Sequence, residues 1–262
     1  MARAPYDDLS TVYEWLVPEA LLEPEGAVAA FAEVVDALPP GARVLDCAAG
    51  TGQLAVGLAL RGFDVVACDA SPGMVERTRR LARERGAELE TAVRRWDELG
   101  EQGPAGPFDA VLCVGNSLTH APGTAARHLL ERDPAGRLRA DGRLALTSRN
   151  WERVREAGPG LEVADRLVVR WGQPGLVVRA WTLPAEWEAP HHLDVAVALI
   201  DPDGEVERHG ERLTFWPFRR EALEEDLRHA GLAPVRSTYA PEAERYLVLA
   251  AAYAQGRRLA GG

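Results

Sequence analysis

VLDCAAGTGQLA, residues 44–55, decides the fold. An apolar run ends in Asp46, glycines follow at 50 and 52, and a helix-forming stretch takes over directly. Glycines there let the backbone turn and approach a ligand closely, and the helix behind them opens with unpaired N–H groups. Gly50-x-Gly52-x-x-Ala55 fits a dinucleotide fingerprint, which is a weak signal by itself. It gains force from Asp46, four residues before the first glycine, and from Asp69, 17 residues past the second. Asp69 closes the next apolar run, where an acid can accept both hydroxyls of a ribose. The competing reading of Asp69 is a turn residue leading a helix. Ligands bind open α/β sheets at the carboxyl ends of their strands, which is where this loop falls.

Working outward, RVLDCA (43–48) reads as a buried strand, GQLAVGLALRG (52–62) as a helix closed by Gly62, and FDVVACD (63–69) as a second strand. The next helix is punctuated by Ser71 as N-cap, Pro72 at its first position and Gly86 past its end. AELETAV (87–93), FDAVLCVG (108–115) and RLALTS (143–148) are further strands, with a helix expected over 123–132. Alternating strands and helices imply a parallel sheet covered on both faces. The pattern changes after Asn150. Four strand-like runs over 164–216, separated by turns such as Gln173-Pro174-Gly175 and Asp201-Pro202-Asp203-Gly204, predict antiparallel hairpins. A helix at 220–231 and an antiparallel pair within 232–252 close the chain.

The composition excludes several functions. The 262 residues carry 40 acidic and 30 basic side chains, a net charge of −10, which argues against nucleic acid or an anionic membrane as main partner. Every cation is arginine, so Schiff-base lysine chemistry and the Walker A loop are ruled out. Cys47, Cys68 and Cys113 each sit in an apolar run and have neither disulfide nor zinc spacing, and they read as small buried hydrophobes. No apolar stretch approaches the ~20 residues of a membrane span, and the amino terminus lacks a hydrophobic signal core. A cytoplasmic protein is expected. His191 and His192 are adjacent, so on a strand they face opposite ways and cannot share a metal. No other cluster suggests one. The arginines at 77, 79, 80, 83 and 85, interleaved with Glu76 and Glu84, read as a solvated helix face.

The Asp46, Gly50, Gly52 and Asp69 constellation resembles the class I S-adenosylmethionine-dependent methyltransferases. That resemblance implies an α/β fold: a seven-stranded Rossmann-like sheet with an inserted antiparallel β lid. It divides the chain into an N-terminal helical cap (1–40), a core (41–151 and 217–254), the lid (152–216) and a C-terminal tail (255–262). It implies S-adenosyl-L-methionine as cofactor, with the Asp46–Gly52 loop against the methionine portion and Asp69 on the ribose. Met74, in DASPGM (69–74), would pack on the adenine, although core packing explains it equally well. Ala48, Ala70, Val114 and the Arg95-Trp96 pair are implied as further cofactor contacts. YDDLSTVYEWLVPE (6–19) resembles the family's opening helix, in which a tyrosine such as Tyr13 closes over the cofactor. LRADGRLAL (138–146) resembles its turn into the fifth strand.

A narrower resemblance is to the glycine and sarcosine N-methyltransferases. GNSLTH (115–120) is similar to their GNS-x-x-H stretch, and TSRNWERV (147–154) to their Arg-Asn-aromatic stretch. Carried over residue by residue, Asn116 orients the acceptor amine, His120 supports the loop, and Arg149 grips a substrate carboxylate. The structural alternatives are a surface ion pair for Arg149 and capping or packing for His120. The expected reaction is N-methylation of a small-molecule amine bearing an acidic group, with oligomeric state open. O- or C-methylation is the runner-up, and a nicotinamide-dependent dehydrogenase or a non-catalytic cofactor-binding protein stands behind it.

Overall fold

The computed structural model describes residues 4–95, 98–99, 103–123 and 135–252. The expected helix over 123–132 and the 255–262 tail therefore lie outside the described residues, apart from Gly123. Strands β1 (Arg43–Asp46), β2 (Asp64–Asp69), β3 (Glu90–Val93), β4 (Phe108–Cys113) and β5 (Leu138–Arg149) pair in parallel. After five lid strands, β6 to β10, come β11 (Leu232–Ser237) and β12 (Arg245–Ala252), which join the core sheet antiparallel. The resulting order is β11-β12-β5-β4-β1-β2-β3. Side chains of a strand alternate between faces, so near-continuous apolar runs are what a sheet covered on both sides requires. Leu45, Val66, Val111 and Leu144 face one core with Leu223 and Leu227 of the helix Arg220–His229. Val44, Val65, Ala110 and Leu112 face the other, against Val28 of α1 (Pro24–Ala30) and Leu54 and Leu58 of α3 (Gln53–Leu60). The short α2 (Ala32–Val35) lies between α1 and β1.

Helix α4 (Pro72–Arg85) starts and stops as expected. The Ser71 hydroxyl accepts from Met74 N at 3.1 Å, and Gly86 closes the helix at φ 67°. One arginine departs from the solvated-face reading: Arg77 turns inward to a salt bridge with the buried Glu14. The fifth strand also differs. It begins at Leu138, and between the pairs Phe108–Leu138 and Ala110–Arg143 its extra residues are absorbed as a broad bulge containing Gly142. A side chain on Gly142 would stand 3.0 Å from the Phe108 carbonyl oxygen. The expected turn is thus folded into the strand itself.

The lid is a separate five-stranded antiparallel sheet, reached through α5 (Trp151–Ala157), whose N-cap Asn150 accepts from Arg153 N. Its order is β10 (Val206–Phe215), β9 (His191–Ile200), β8 (Gln173–Thr182), β6 (Gly160–Val163), with β7 (Val168–Arg170) also on β8. The short exposed β6 and α5 had no periodic signal long enough to read. The Asp201 turn forms as expected, Asp201 Oδ1 accepting from Asp203 N and Glu205 N. The Gln173-Pro174-Gly175 turn does not. Those residues open β8, and the chain reverses one step earlier at Trp171-Gly172, both with positive φ, as a two-residue hairpin requires. Gly175 is small because Trp15 packs on it, only 2.6 Å from where a β-carbon would stand.

The segment before α1 is a chain of turns with short 3-10 helices at Tyr13–Trp15 and Glu19–Leu21 rather than the regular opening helix expected. Its Leu9, Val12 and Trp15 share one core with Trp151 and the lid residues Val177, Trp181, Val195, Val197 and Phe215. It is fastened on the other side by Asp7, whose carboxylate accepts from the Ser71 hydroxyl at 2.6 Å. This segment therefore straps lid and core sheet together across the top of the strands.

Candidate active site

The loop after β1 is held by its own backbone. Cys47 N donates to Leu112 O and Ala49 N to Cys68 O, each at 2.9 Å, which suspends the loop between β4 and β2. Gly50 and Gly52 adopt φ of 58° and 92°, a region that costs other residues steric energy. A β-carbon at Gly52 would also stand 2.7 Å from the Thr78 side chain, so this glycine lets α4 close on the loop.

Asp69 is bound into that loop. Its Oδ2 accepts from Gly50 N and its Oδ1 from Ser71 N, both at 2.9 Å. A carboxylate has about four lone-pair positions, so acceptor capacity remains for ribose hydroxyls. Asp46 is 1 % exposed; its Oδ1 reaches Ala48 N at 3.4 Å and its buried Oδ2 has no partner among the described residues. Burial, with Asp69 adding to it, pushes the Asp46 carboxyl up to about 7. Burial likewise raises Asp69, against the pull of its backbone donors.

Beside this loop opens a cleft lined by Pro5, Tyr6, Cys47, Ala48, Asp69, Ala70, Arg95, Ser117 and His120. Tyr13 stands over the glycines, its ring edge 4.0 Å from the β-carbon position of Gly50. Met74 is buried in α4 and does not line the cleft, and Trp96 lies outside the described residues. Val114, just past β4, is buried and accepts from the Ser117 hydroxyl through its carbonyl. The three cysteines are free and buried, as expected.

The second group of residues emerges from the neighbouring strand ends. Asn116, at φ 71°, is buried, and its Oδ1 accepts from Arg149 N at 2.9 Å. The acceptor must be the oxygen because the partner is an amide N–H, so the Asn116 NH2 is left to donate elsewhere. Arg149 is half-buried with its guanidinium over the Trp181 ring, 5.5 Å from the centroid. Burial and the nearby Arg245 lower it to about 10. His120 donates Nδ1–H to Thr214 O at 2.9 Å, which leaves Nε2 as a buried acceptor with no partner among the described residues. Burial drops this imidazole to about 4, so it is neutral at physiological pH.

Tyr6 was not singled out by sequence. It lies edge-on to Tyr13 at 5.6 Å and to His120 at 5.5 Å, and its backbone N donates to Glu211 Oε1 on the lid. Its one sequence-level signal, the turn-prone Pro5 before it, is slight. His191 and His192 face opposite ways, His191 toward Arg155 and His192 toward Thr214. No metal-holding group occurs among the described residues.

A methyltransferase domain model matches residues 44–133. Across the whole chain, an S-adenosylmethionine-dependent methyltransferase from Clostridium acetobutylicum superposes with a TM-score of 0.75 at 14% identity, covering 94% of this chain and 98% of that one. This chain has the class I methyltransferase fold. It is 42% identical over 119 residues to a glycine/sarcosine N-methyltransferase of Parasynechococcus marenigrum, covering 45% of this chain and 42% of that relative. It is also 38% identical over 103 residues to a ubiquinone biosynthesis O-methyltransferase of Xylella fastidiosa, covering 37% and 40%. The match thus spans less than half the length of these curated relatives, and the lid lies outside the family model. No helix among the described residues is long and apolar enough to cross a membrane.

Proposed function

We propose that the protein transfers a methyl group from S-adenosylmethionine to the nitrogen of a small-molecule amine that carries an acidic group. The observation that carries this reading is one cleft flanked by two functional edges. Asp69, beside the buried Asp46, lines it with Tyr6 and His120, and half-buried Arg149, tied through its backbone to Asn116, lies within electrostatic reach of Tyr6. The cofactor fits the first edge by chemistry. The unpartnered Asp46 Oδ2 offers an anion to its cationic methionine portion, and Asp69 has lone pairs for its ribose. When bound, the sulfonium supplies an already activated methyl group, so the protein has chiefly to align the acceptor and exclude water.

In this mechanism Arg149 grips the acidic group of the acceptor, for which its planar fork is suited. The His120 Nε2 lone pair accepts one N–H of the amine, so that the nitrogen lone pair turns toward the methyl, while the Asn116 NH2 donates to an oxygen of the acidic group. The similarity to a glycine/sarcosine N-methyltransferase supports nitrogen as the acceptor atom. The strap residues Tyr6 and Tyr13 and the lid residue Trp181 shut out water. Mass-spectrometric detection of methyl transfer to amino acids, amino sugars and amino phosphates tests the reading, with phenols as the competing class.

A further inference from the structure

We propose that the outer face of the lid sheet is the interface at which two copies of this chain associate, sheet against sheet. An antiparallel sheet with one face in water alternates apolar inward and polar outward. The lid departs from that pattern. Its inward residues, Val177, Trp181, Val195, Val197 and Phe215, fill the core shared with the strap. The residues between them point the other way, and they are apolar too: Leu176 and Val178 on β8, Ala196, Ala198 and Ile200 on β9. Register sets Leu176 beside Ala198 and Val178 beside Ala196. Leu161 and Val163 of β6 and Val206 of β10 extend the patch onto the flanking strands, where they are 69, 50 and 54 % exposed. Ala196, near its centre, is exposed as well. The run VAVALI (195–200) has the composition of a strand covered on both faces.

Size, charge and chain path make a second copy the occupant. Strands β8, β9 and β10 are ten residues long each, and β6 and β7 add four and three. At ~3.4 Å per residue and ~4.8 Å between strands they present roughly 600 Å² of flat face, which pleat and side chains raise toward the ~800 Å² each partner gives a stable interface. A two-fold interface meets itself, so it has to be close to neutral although the chain carries −10. On this face Asp194 and Arg212 neutralise each other through a two-pronged pair at 2.7 and 2.8 Å. Among the described strand residues the remaining outward guanidinium, Arg208, stands on the edge strand β10. The chain itself offers no cover. Strand β12 ends at Ala252, the opposite end of the core sheet from the lid-side pair Arg245–Arg149, and residues 253–262 hold two large apolar side chains, Tyr253 and Leu259. The candidate active site lies under the inward face of the lid, so this association leaves both clefts free and is independent of the reaction proposed above.

Sedimentation equilibrium of the full chain over a range of concentrations is the test. The expected result is a monomer–dimer equilibrium at micromolar protein that persists in molar salt, because apolar contact is not screened. Val178→Arg should weaken association at least a hundredfold. Val178 sits on β8, which is paired on both sides and has no free edge, so its loss reports on the face alone. Leu161→Lys, on the short exposed β6, should weaken it at least tenfold with no demand on the fold. Both variants should bind S-adenosylhomocysteine within twofold of wild type and keep its far-ultraviolet circular dichroism. A wild type that stays monomeric at every concentration overturns the proposal, and its co-sedimentation with neutral lipid vesicles would give the face to a membrane instead. A dimer that neither substitution weakens, or that salt alone dissolves, has its contact elsewhere and overturns it equally. A dimer lost with Leu161→Lys but untouched by Val178→Arg would be edge-to-edge pairing of β6, which also contradicts packing through the face.

Discussion

The two edges of the proposed site are built in opposite ways. The proposed cofactor edge is local: Asp46, Gly50, Gly52 and Asp69 lie within one strand–loop–helix–strand unit, and Asp69 itself bonds to the glycine loop. The proposed acceptor edge is assembled from afar. Arg149 closes β5, Trp181 comes from the lid, and Tyr6 comes from the amino-terminal strap. A local unit fixes its geometry by backbone hydrogen bonds and glycine conformation. A composite edge fixes it only when lid, strap and core sheet are all packed, so it can diverge in specificity without disturbing cofactor chemistry.

Substitutions can break or sharpen that contrast. The largest effect is expected from Asp69→Ala, which removes ribose acceptors and unties Gly50 and Ser71 together. Cofactor affinity should fall by roughly ten- to 150-fold, or about 1.5–3 kcal/mol, with a lower melting temperature as well. Unchanged calorimetric affinity in the folded variant would move the ribose elsewhere. On the opposite edge, Arg149→Ala should lower kcat/KM for the acceptor by about 1.5–3 kcal/mol, and Arg149→Lys should also be impaired because an ammonium lacks the fork. Cofactor affinity should stay within a few-fold in both. A parallel loss of cofactor binding would mean that the edges are not separable.

A smaller effect concerns pH. Asp46 titrates near 7 in the folded protein, above its ordinary range of about 4. Both states bind the proton below about pH 4. Between about 4 and 7 only the folded state keeps it, so stability falls as pH rises through that window. A cationic cofactor favours the ionised form, so its affinity should weaken as pH drops below about 7, by at most about tenfold per unit, and level off above. Adenosine, which lacks the methionine cation, should show no such slope, and Asp46→Asn should flatten it. The smallest effect is expected at the lid's hairpin tip. Trp171 is 74 % exposed at φ 49°, and Asn, which tolerates that conformation, should change stability by about 1 kcal/mol or less in thermal unfolding.

The same contrast explains what the sequence disclosed. Ser71, Pro72 and Gly86 mark α4 because caps act within a turn or two of chain, and the central strands β1, β2 and β4 are legible because each carries a contiguous apolar run. Asp46 and Asp69 follow from fixed spacing to the glycines. Tyr6 carries no such mark, since its place arises from packing between the amino-terminal strap, the loop after β4 and the lid. The misplaced turn has a related cause. Gln173-Pro174-Gly175 has turn composition, but Gly175 is small to admit Trp15 from the strap, a tertiary reason that mimics a local one. Arg77 similarly belongs to a helix face that looks solvated until Glu14 is brought over it.

The most direct measurement is a methyl-transfer screen with isotopically labelled S-adenosylmethionine, read by mass and by the position of the label. The expected result is a label on the nitrogen of an amine that also bears a phosphoryl or carboxylate group, lost when that group is removed. A label on oxygen or carbon of a neutral acceptor, or turnover indifferent to the anionic group, would contradict the proposed reaction.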